Sequence, residues 1–127
     1  MSDSISILVV DDNPSMAGSL ADILEIKGFG VQAAYSGAEA LEILRDQPVD
    51  ILLTDVRMPD MNGVELYRAA RKMLPKLVAL FMTAYSADDI IQKGMAEGIK
   101  TVLTKPVDID FLLLLFSSVK RNRSQAG

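Results

Sequence analysis

The chain contains no cysteine and no histidine. The first absence rules out a disulfide framework and any thiolate metal centre. The second removes the commonest metal ligand and the usual acid–base group near neutral pH. Long apolar runs are also missing: a stretch such as Phe111 to Phe116 falls far short of the roughly 20 residues needed to cross a membrane. Nor is there an excess of positive charge. Thirteen Lys and Arg face 17 Asp and Glu, and the net charge of −4 favours solubility and speaks against direct nucleic-acid binding. Met1-Ser2-Asp3-Ser4 has neither the basic start nor the apolar core of a secretory signal, so a cytoplasmic location is expected. Internal repeats and low-complexity linkers are absent. What remains is 127 residues, half of them hydrophobic and a quarter charged, enough for one domain with a real core.

Strand and helix patterns alternate from end to end. Ile5 to Val10 is a β-rich apolar run stopped by Asp11-Asp12-Asn13-Pro14, where Asn13 and Pro14 suit the cap and first turn of a helix. Met16, Leu20, Ile23 and Leu24 recur at helical spacing until Gly28. Val31 to Tyr35 predicts a second strand, and Ser36-Gly37 starts a second helix carrying Ala38, Leu41 and Leu44, ended by Pro48. Ile51-Leu52-Leu53-Thr54-Asp55 is a third strand, followed by a turn rich in Pro, Asp, Asn and Gly, in which Asp60 and Asn62 are assigned to turn chemistry. Gly63 opens a third helix with Leu66, Tyr67, Ala70 and Met73 inward, broken by Pro75. Leu77 to Met82 is the fourth strand, stopped by Thr83-Ala84-Tyr85-Ser86. A fourth helix is expected from about Ala87 to Glu97, with Asp88 and Asp89 near its positive end. Gly94 inside it points either to close packing on the sheet or to a helix soft enough to shift. Ile99 to Thr104 is the fifth strand, and Asp108 or Asp110 caps a last helix through Val119. Five βα units in this order imply an α/β, doubly wound parallel sheet of the flavodoxin-like kind, for which 2-1-3-4-5 is the favoured strand order.

The strand ends carry Asp11 and Asp12, then Asp55, Thr83 and Lys105. In a parallel sheet these ends face the same way, so the groups can converge at the carboxyl edge, where open α/β folds place their sites. Clustered carboxylates raise one another's pKa unless cations hold them ionised. Lys105 brings one positive charge and a divalent ion two, which together balance three carboxylates. Without His or Cys, the all-oxygen donor set suits a hard ion, Mg²⁺ above transition metals.

Leu8-Val9-Val10-Asp11-Asp12, Thr54-Asp55-Val56-Arg57-Met58-Pro59-Asp60-Met61-Asn62-Gly63, Thr83-Ala84 and Lys105-Pro106 together resemble the response regulator receiver domains of two-component signalling. The resemblance covers residues 5 to about 120, leaving 121–127 as a polar tail or the start of a linker. It implies that Asp55 accepts a phosphoryl group from a histidine kinase or phosphotransfer protein. Mg²⁺ would be held by the carboxylates of Asp12 and Asp55, by Asp11 directly or through water, and by the backbone carbonyl of Arg57. Thr83 and Lys105 would contact the phosphoryl oxygens. Drawing Thr83 inward would then disturb the loop to the fourth helix. Two positions depart from the pattern. Val102 stands three residues before Lys105, where receivers commonly carry a rotating Tyr or Phe, and Val107 stands where Phe is common. Valine cannot swing between exposed and buried rotamers, which puts the usual threonine–aromatic coupling in question.

On the last helix Leu112, Leu115, Phe116 and Val119 form an inward stripe, while Leu114 lies nearly opposite. That leaves two readings: a greasy helix partly covered by its neighbours, or a face for a partner, either a following domain or a second receiver docked through helix 4, strand 5 and helix 5. Other functions fit less well. An aspartyl-phosphate phosphatase of the haloacid-dehalogenase type would want a second carboxylate where Arg57 stands. A flavin or nucleotide binder would want a phosphate cradle where Asp11 and Asp12 stand. A pseudo-receiver acting only as an interaction module would not need the full set of site residues.

Overall fold

The computed structural model describes residues 5–85 and 88–126, with side chains as far as Lys120. Five strands, β1 (Ser6–Val10), β2 (Gly30–Ala34), β3 (Ile51–Asp55), β4 (Val78–Thr83) and β5 (Thr101–Thr104), alternate with five helices. The helices are α1 (Pro14–Ile26), α2 (Gly37–Asp46), α3 (Gly63–Met73), α4 (Asp89–Glu97) and α5 (Ile109–Ala126). All strand pairs are parallel and the order is β2-β1-β3-β4-β5, as expected from the alternation.

Alternation along the strands divides the core into two layers. Ile7 and Val9 of β1 with Leu53 of β3 face α1 and α5, meeting Ala17, Leu24, Leu112, Phe116 and Val119. Leu8, Val10, Leu52 and Phe81 point the other way, onto Ala40 and Leu44 of α2, Leu66, Tyr67 and Ala70 of α3, and Ile90 and Ile91 of α4. Both faces of the central strands are therefore covered, which is why their sequences are continuous apolar runs.

The helix starts follow local chemistry. Asn13 accepts hydrogen bonds from the N–H groups of Ser15 and Met16 with Pro14 in the first turn, and Ser36 accepts from Glu39. Asn62 and Glu65 form a reciprocal capping box on α3. Asp88 caps α4, so that helix begins at Asp89; Ala87, where its start was expected, and Ser86 lie outside the described residues. Asp108, rather than Asp110, accepts from the Phe111 N–H at the start of α5.

The inward assignment of Met73 needs correcting, and three helically spaced apolar residues also lie off the buried faces. Met16 and Ile23 of α1 and Met73 of α3 are at least a third exposed, and Ala38 of α2 is exposed. The buried line of α1 runs through Ala17 and Leu24 with Leu20 half-buried beside them, one residue round the helix from the expected stripe. β2 and β4 are displaced by one residue from their expected bounds, and β5 starts two residues later than its apolar pattern. α5 continues to Ala126, beyond the expected end at Val119, because no Gly or Pro interrupts residues 119–126. Leu112, Phe116 and Val119 are buried as expected, and Leu114 is 67% exposed.

Gly94 is explained by packing. Phe81, fully buried on β4, lies between Gly94 of α4 and Gly63 of α3. A Cβ at Gly63 would come within 2.7 Å of the ring, and one at Gly94 would overlap it. Gly94→Ala is therefore expected to cost about 1–3 kcal/mol through overpacking. This is opposite in sign to the roughly 1 kcal/mol that alanine contributes in an open helix position. Urea unfolding of Gly94→Ala, alone and with Phe81→Ala, checks this: the penalty should vanish in the double variant, and a stabilised single variant would refute the packing argument.

Candidate functional site

The order β2-β1-β3-β4-β5 sets the ends of β1 and β3 side by side, with Val10 opposite Thr54. Asp11 and Asp55 therefore emerge next to each other at the carboxyl edge, with Asp12 beside them. One carboxylate oxygen from each of Asp11, Asp12 and Asp55 lies within 4.8 Å of the others. Asp11 is buried, Asp55 half-buried and Asp12 exposed. The Asn13 N–H donates to Asp11 Oδ1 at 3.0 Å, orienting the buried carboxylate.

Lys105 closes the cluster. Its Nζ donates to Asp11 Oδ2 at 2.8 Å and to Asp55 Oδ2 at 3.0 Å. The residue follows β5, whose backbone continues past its last strand residue through a Lys105 N–H bond to the Thr83 carbonyl, and the Lys105–Pro106 peptide is cis. The partners shift unequally. Burial pushes the Asp55 carboxyl up, and the hydrogen bond and charge of Lys105 only partly offset it. On Lys105 burial pulls down, but the bonds to Asp11 and Asp55 outweigh it and the ammonium is held above its ordinary value.

Thr83 and Arg57 are placed differently. The buried Thr83 hydroxyl is turned to its own loop, accepting from the Tyr85 N–H at 2.9 Å and donating to the Tyr85 carbonyl at 3.2 Å. Arg57's guanidinium leaves the carboxylates altogether and forks onto Asp88, Nε to Oδ2 at 2.6 Å and Nη2 to Oδ1 at 2.9 Å. Thus Asp11, Asp12, Asp55 and Lys105 are gathered, while Thr83 and the Arg57 side chain are engaged elsewhere.

Two further ties of the β3–α3 loop were not expected. Asp60, assigned to turn chemistry, instead accepts from the N–H groups of Gly37 at 3.2 Å and Ala38 at 2.9 Å at the start of α2. The Ala38 N–H, joined by that of Gly37, keeps its carboxyl below the ordinary carboxylate range. The Asp88 carboxyl is likewise lowered, first by Arg57 and then by the Ile90 N–H. The only sequence signal for either tie was an acidic residue near a helix start, which does not name its partner.

Beside the cluster, an apolar cavity of about 360 Å³ opens between α1 and the segment after β5, lined among others by Met16, Leu20, Ile23, Pro106 and Val107, with Asp11 and Lys105 at its edge.

Residues 7–116 match the family pattern described as the response regulator receiver domain. The chain belongs to that family. This receiver domain is 43% identical over 106 residues to a response regulator receiver protein of Anaeromyxobacter, a match covering 84% of this chain and 44% of that one. It is 39% identical over 110 residues to the transcriptional regulatory protein ZraR of Escherichia coli, covering 87% and 25%. The chain thus spans less than half the length of these relatives. A CheY-like receiver from Methanospirillum hungatei superposes with a TM-score of 0.90 at 27% identity, covering 98% and 99% of the two chains. The Vibrio cholerae chemotaxis protein CheY4 gives 0.83 at 30% identity, covering 91% and 98%. Receiver domains are signalling modules, here the receiver of a two-component response regulator. Among its described residues no helix is long and apolar enough to cross a membrane.

The raised pKa of Asp55 has a consequence for stability. A carboxyl whose pKa is higher folded than unfolded favours folding fully below its unfolded pKa, and that contribution is lost as pH rises through the folded value. At neutral pH without a divalent ion, ionised Asp55 therefore burdens the fold. Asp55→Asn is expected to raise the thermal midpoint at pH 7 in chelator-treated buffer, with the gap closing as the solution is acidified. Midpoints measured across pH check this, and no gain at pH 7 would contradict it.

Proposed function

We propose that this receiver domain accepts a phosphoryl group on Asp55 from a phosphohistidine of a histidine kinase or phosphotransfer protein. The observation that carries the reading is the Lys105 ammonium bridging Asp11 and Asp55, with Asp12 completing a three-carboxylate cluster. An Asp55 oxygen attacks phosphorus, forming a P–O bond as the donor's P–N bond breaks. The bonding electrons leave with the imidazole nitrogen, which takes up a proton. Attack by water on the acyl phosphate later restores the carboxylate and releases phosphate, so the domain assists its own phosphorylation and dephosphorylation without acting as an enzyme on other substrates.

Oxygens from three carboxylates within 4.8 Å, with no nitrogen or sulfur donor among them, fit Mg²⁺. Asp11, Asp12, Asp55 and the Arg57 carbonyl would hold it. When bound it neutralises charge on the transferring phosphoryl oxygens. Lys105 is already in contact with Asp55 and can stay with the new phosphoryl oxygens as a fixed positive charge. Thr83 would have to exchange its bonds to Tyr85 for one to the phosphoryl, moving the start of the β4–α4 loop. The resulting change would spread over α4, β5 and α5.

Half-exposed Met95 and Phe111 and exposed Leu114 on α4 and α5 support a second receiver as a partner through α4, β5 and α5. The receiver proper would span residues 5–120 in the cytoplasm, and relatives of which the match covers only 44% and 25% support output through a further domain.

Intact mass after incubation with acetyl phosphate and Mg²⁺ tests the chemistry. One phosphoryl, about 80 Da, should be gained, lost on adding chelator beforehand, and absent from Asp55→Ala. No gain in the wild-type chain, or a gain that survives Asp55→Ala, would overturn the reading. For the partner surface, sedimentation of the phosphorylated chain should show a dimer that Leu114→Asp abolishes; a monomer at all concentrations would exclude it.

A further inference from the structure

The segment after Asp55 is a closed turn. Gly63 N–H donates to the Val56 carbonyl at 2.7 Å, and Arg57 bridges to Asn62. Out of this turn Arg57 extends its fork to Asp88, the residue that caps α4. The Arg57 side chain is 64% exposed but the Asp88 side chain only 8%. Exposed ion pairs are generally weak. Here both carboxylate oxygens are engaged, and Oδ1 also accepts from the Ile90 N–H at 3.0 Å, so the fork is bound to the first turn of α4 with defined geometry.

The rest of α4 is fastened to the same side. Its middle packs through Gly94 on Phe81, whose ring also meets Gly63 at the other end of the acceptor turn. At its end Arg68 donates to Glu97 at 2.9 Å, and Arg71 donates to the Glu97 carbonyl at 2.7 Å. Among the described residues, every ion pair of α4 and its cap runs to α3 or to the turn before it. Val102 of β5 is half-buried against the same core layer, and its β-branched side chain has restricted freedom about χ1.

We infer that the Arg57–Asp88 pair links the acceptor turn to the placement of α4, so that a change at Asp55 reaches the α3–α4 face through this pair. The inference rests on Asp55 being the phosphoacceptor. It makes Arg57 and Asp88 positioning residues, acting two residues beyond the reacting carboxylate and at the cap of the responding helix. Because coupling is reciprocal, the same pair lets a partner bound at α4 bias the acceptor turn.

Asp88→Asn separates the link from the cap, since asparagine keeps an oxygen for the Ile90 N–H but loses the charge and one acceptor of the fork. Amide NMR spectra of the full chain, before and after acetyl phosphate with Mg²⁺, provide the readout, with intact mass recorded in parallel. In the wild type the amides of α4 should shift on phosphorylation. In Asp88→Asn the phosphoryl mass should still appear while those shifts fall below half of the wild-type values. Asp88→Ser, a second uncharged cap, should behave alike, and Asp89→Asn, which removes only a 3.6 Å outer contact, should keep the wild-type response. A full α4 response in either Asp88 variant overturns the link, as do unmoved α4 amides in phosphorylated wild type. Failure of the underlying phosphoacceptor reading is distinct, because then the wild-type chain gains no mass.

Discussion

Lys105 has to span the sheet to do its work. β5 lies two strands from β3 and three from β1, with each strand step about 4.8 Å wide. Only a long side chain can bring a charge from the end of β5 to carboxylates at the ends of β1 and β3. The four-carbon stem of lysine reaches both Asp11 and Asp55 while the ammonium stays out of bulk water, with a side-chain exposure of 16%. The rest of the site depends on that contact. Without it buried Asp11 and half-buried Asp55 would face each other with no fixed counter-charge, and burial already pushes Asp55 upward. The lysine thus keeps a group of like charges together.

The turn from Val56 to Gly63 is the second organising feature. It meets the amino ends of three helices: Asp60 binds the N–H groups that start α2, Asn62 caps α3, and Arg57 holds the cap residue of α4. Helix starts carry N–H groups without partners inside the helix. Through one Asp, one Asn and one Arg, this turn serves three helix starts. The carboxylate that ends β3 is consequently connected to most of one face of the molecule through short, directional contacts. The other face, α1 and α5, is joined to the site mainly by apolar packing and by the cavity beside Lys105.

The local sequence was informative where one segment sufficed. Apolar runs ending in Asp, Thr or Lys located four of the five strands, and Asn13 and Ser36 marked helix starts because capping is a matter of two or three residues. Facing was less legible. Met16, Ile23, Ala38 and Met73 are apolar and helically spaced, yet lie at the edge of a stripe or outside it, since periodicity alone cannot distinguish the centre of a buried face from its border. Gly94 offered two explanations that only the position of Phe81 could separate. Arg57 and Asp60 looked like part of a turn, and their partners lie 31 and 22–23 residues away in the chain.

The succession of strands and helices along the chain, the chemistry at most strand ends and the family resemblance were thus determined by the sequence itself. Each rests on periodicity, on propensity or on a short motif, and these act over a few residues. Tertiary structure alone decided that Lys105 touches Asp11 and Asp55 together, that the Thr83 hydroxyl is turned to Tyr85, and that Arg57 serves α4 with its side chain. These outcomes depend on distances between segments far apart in the chain. Such distances are set by strand order and by the packing of Phe81 between two glycines, and no local pattern encodes them.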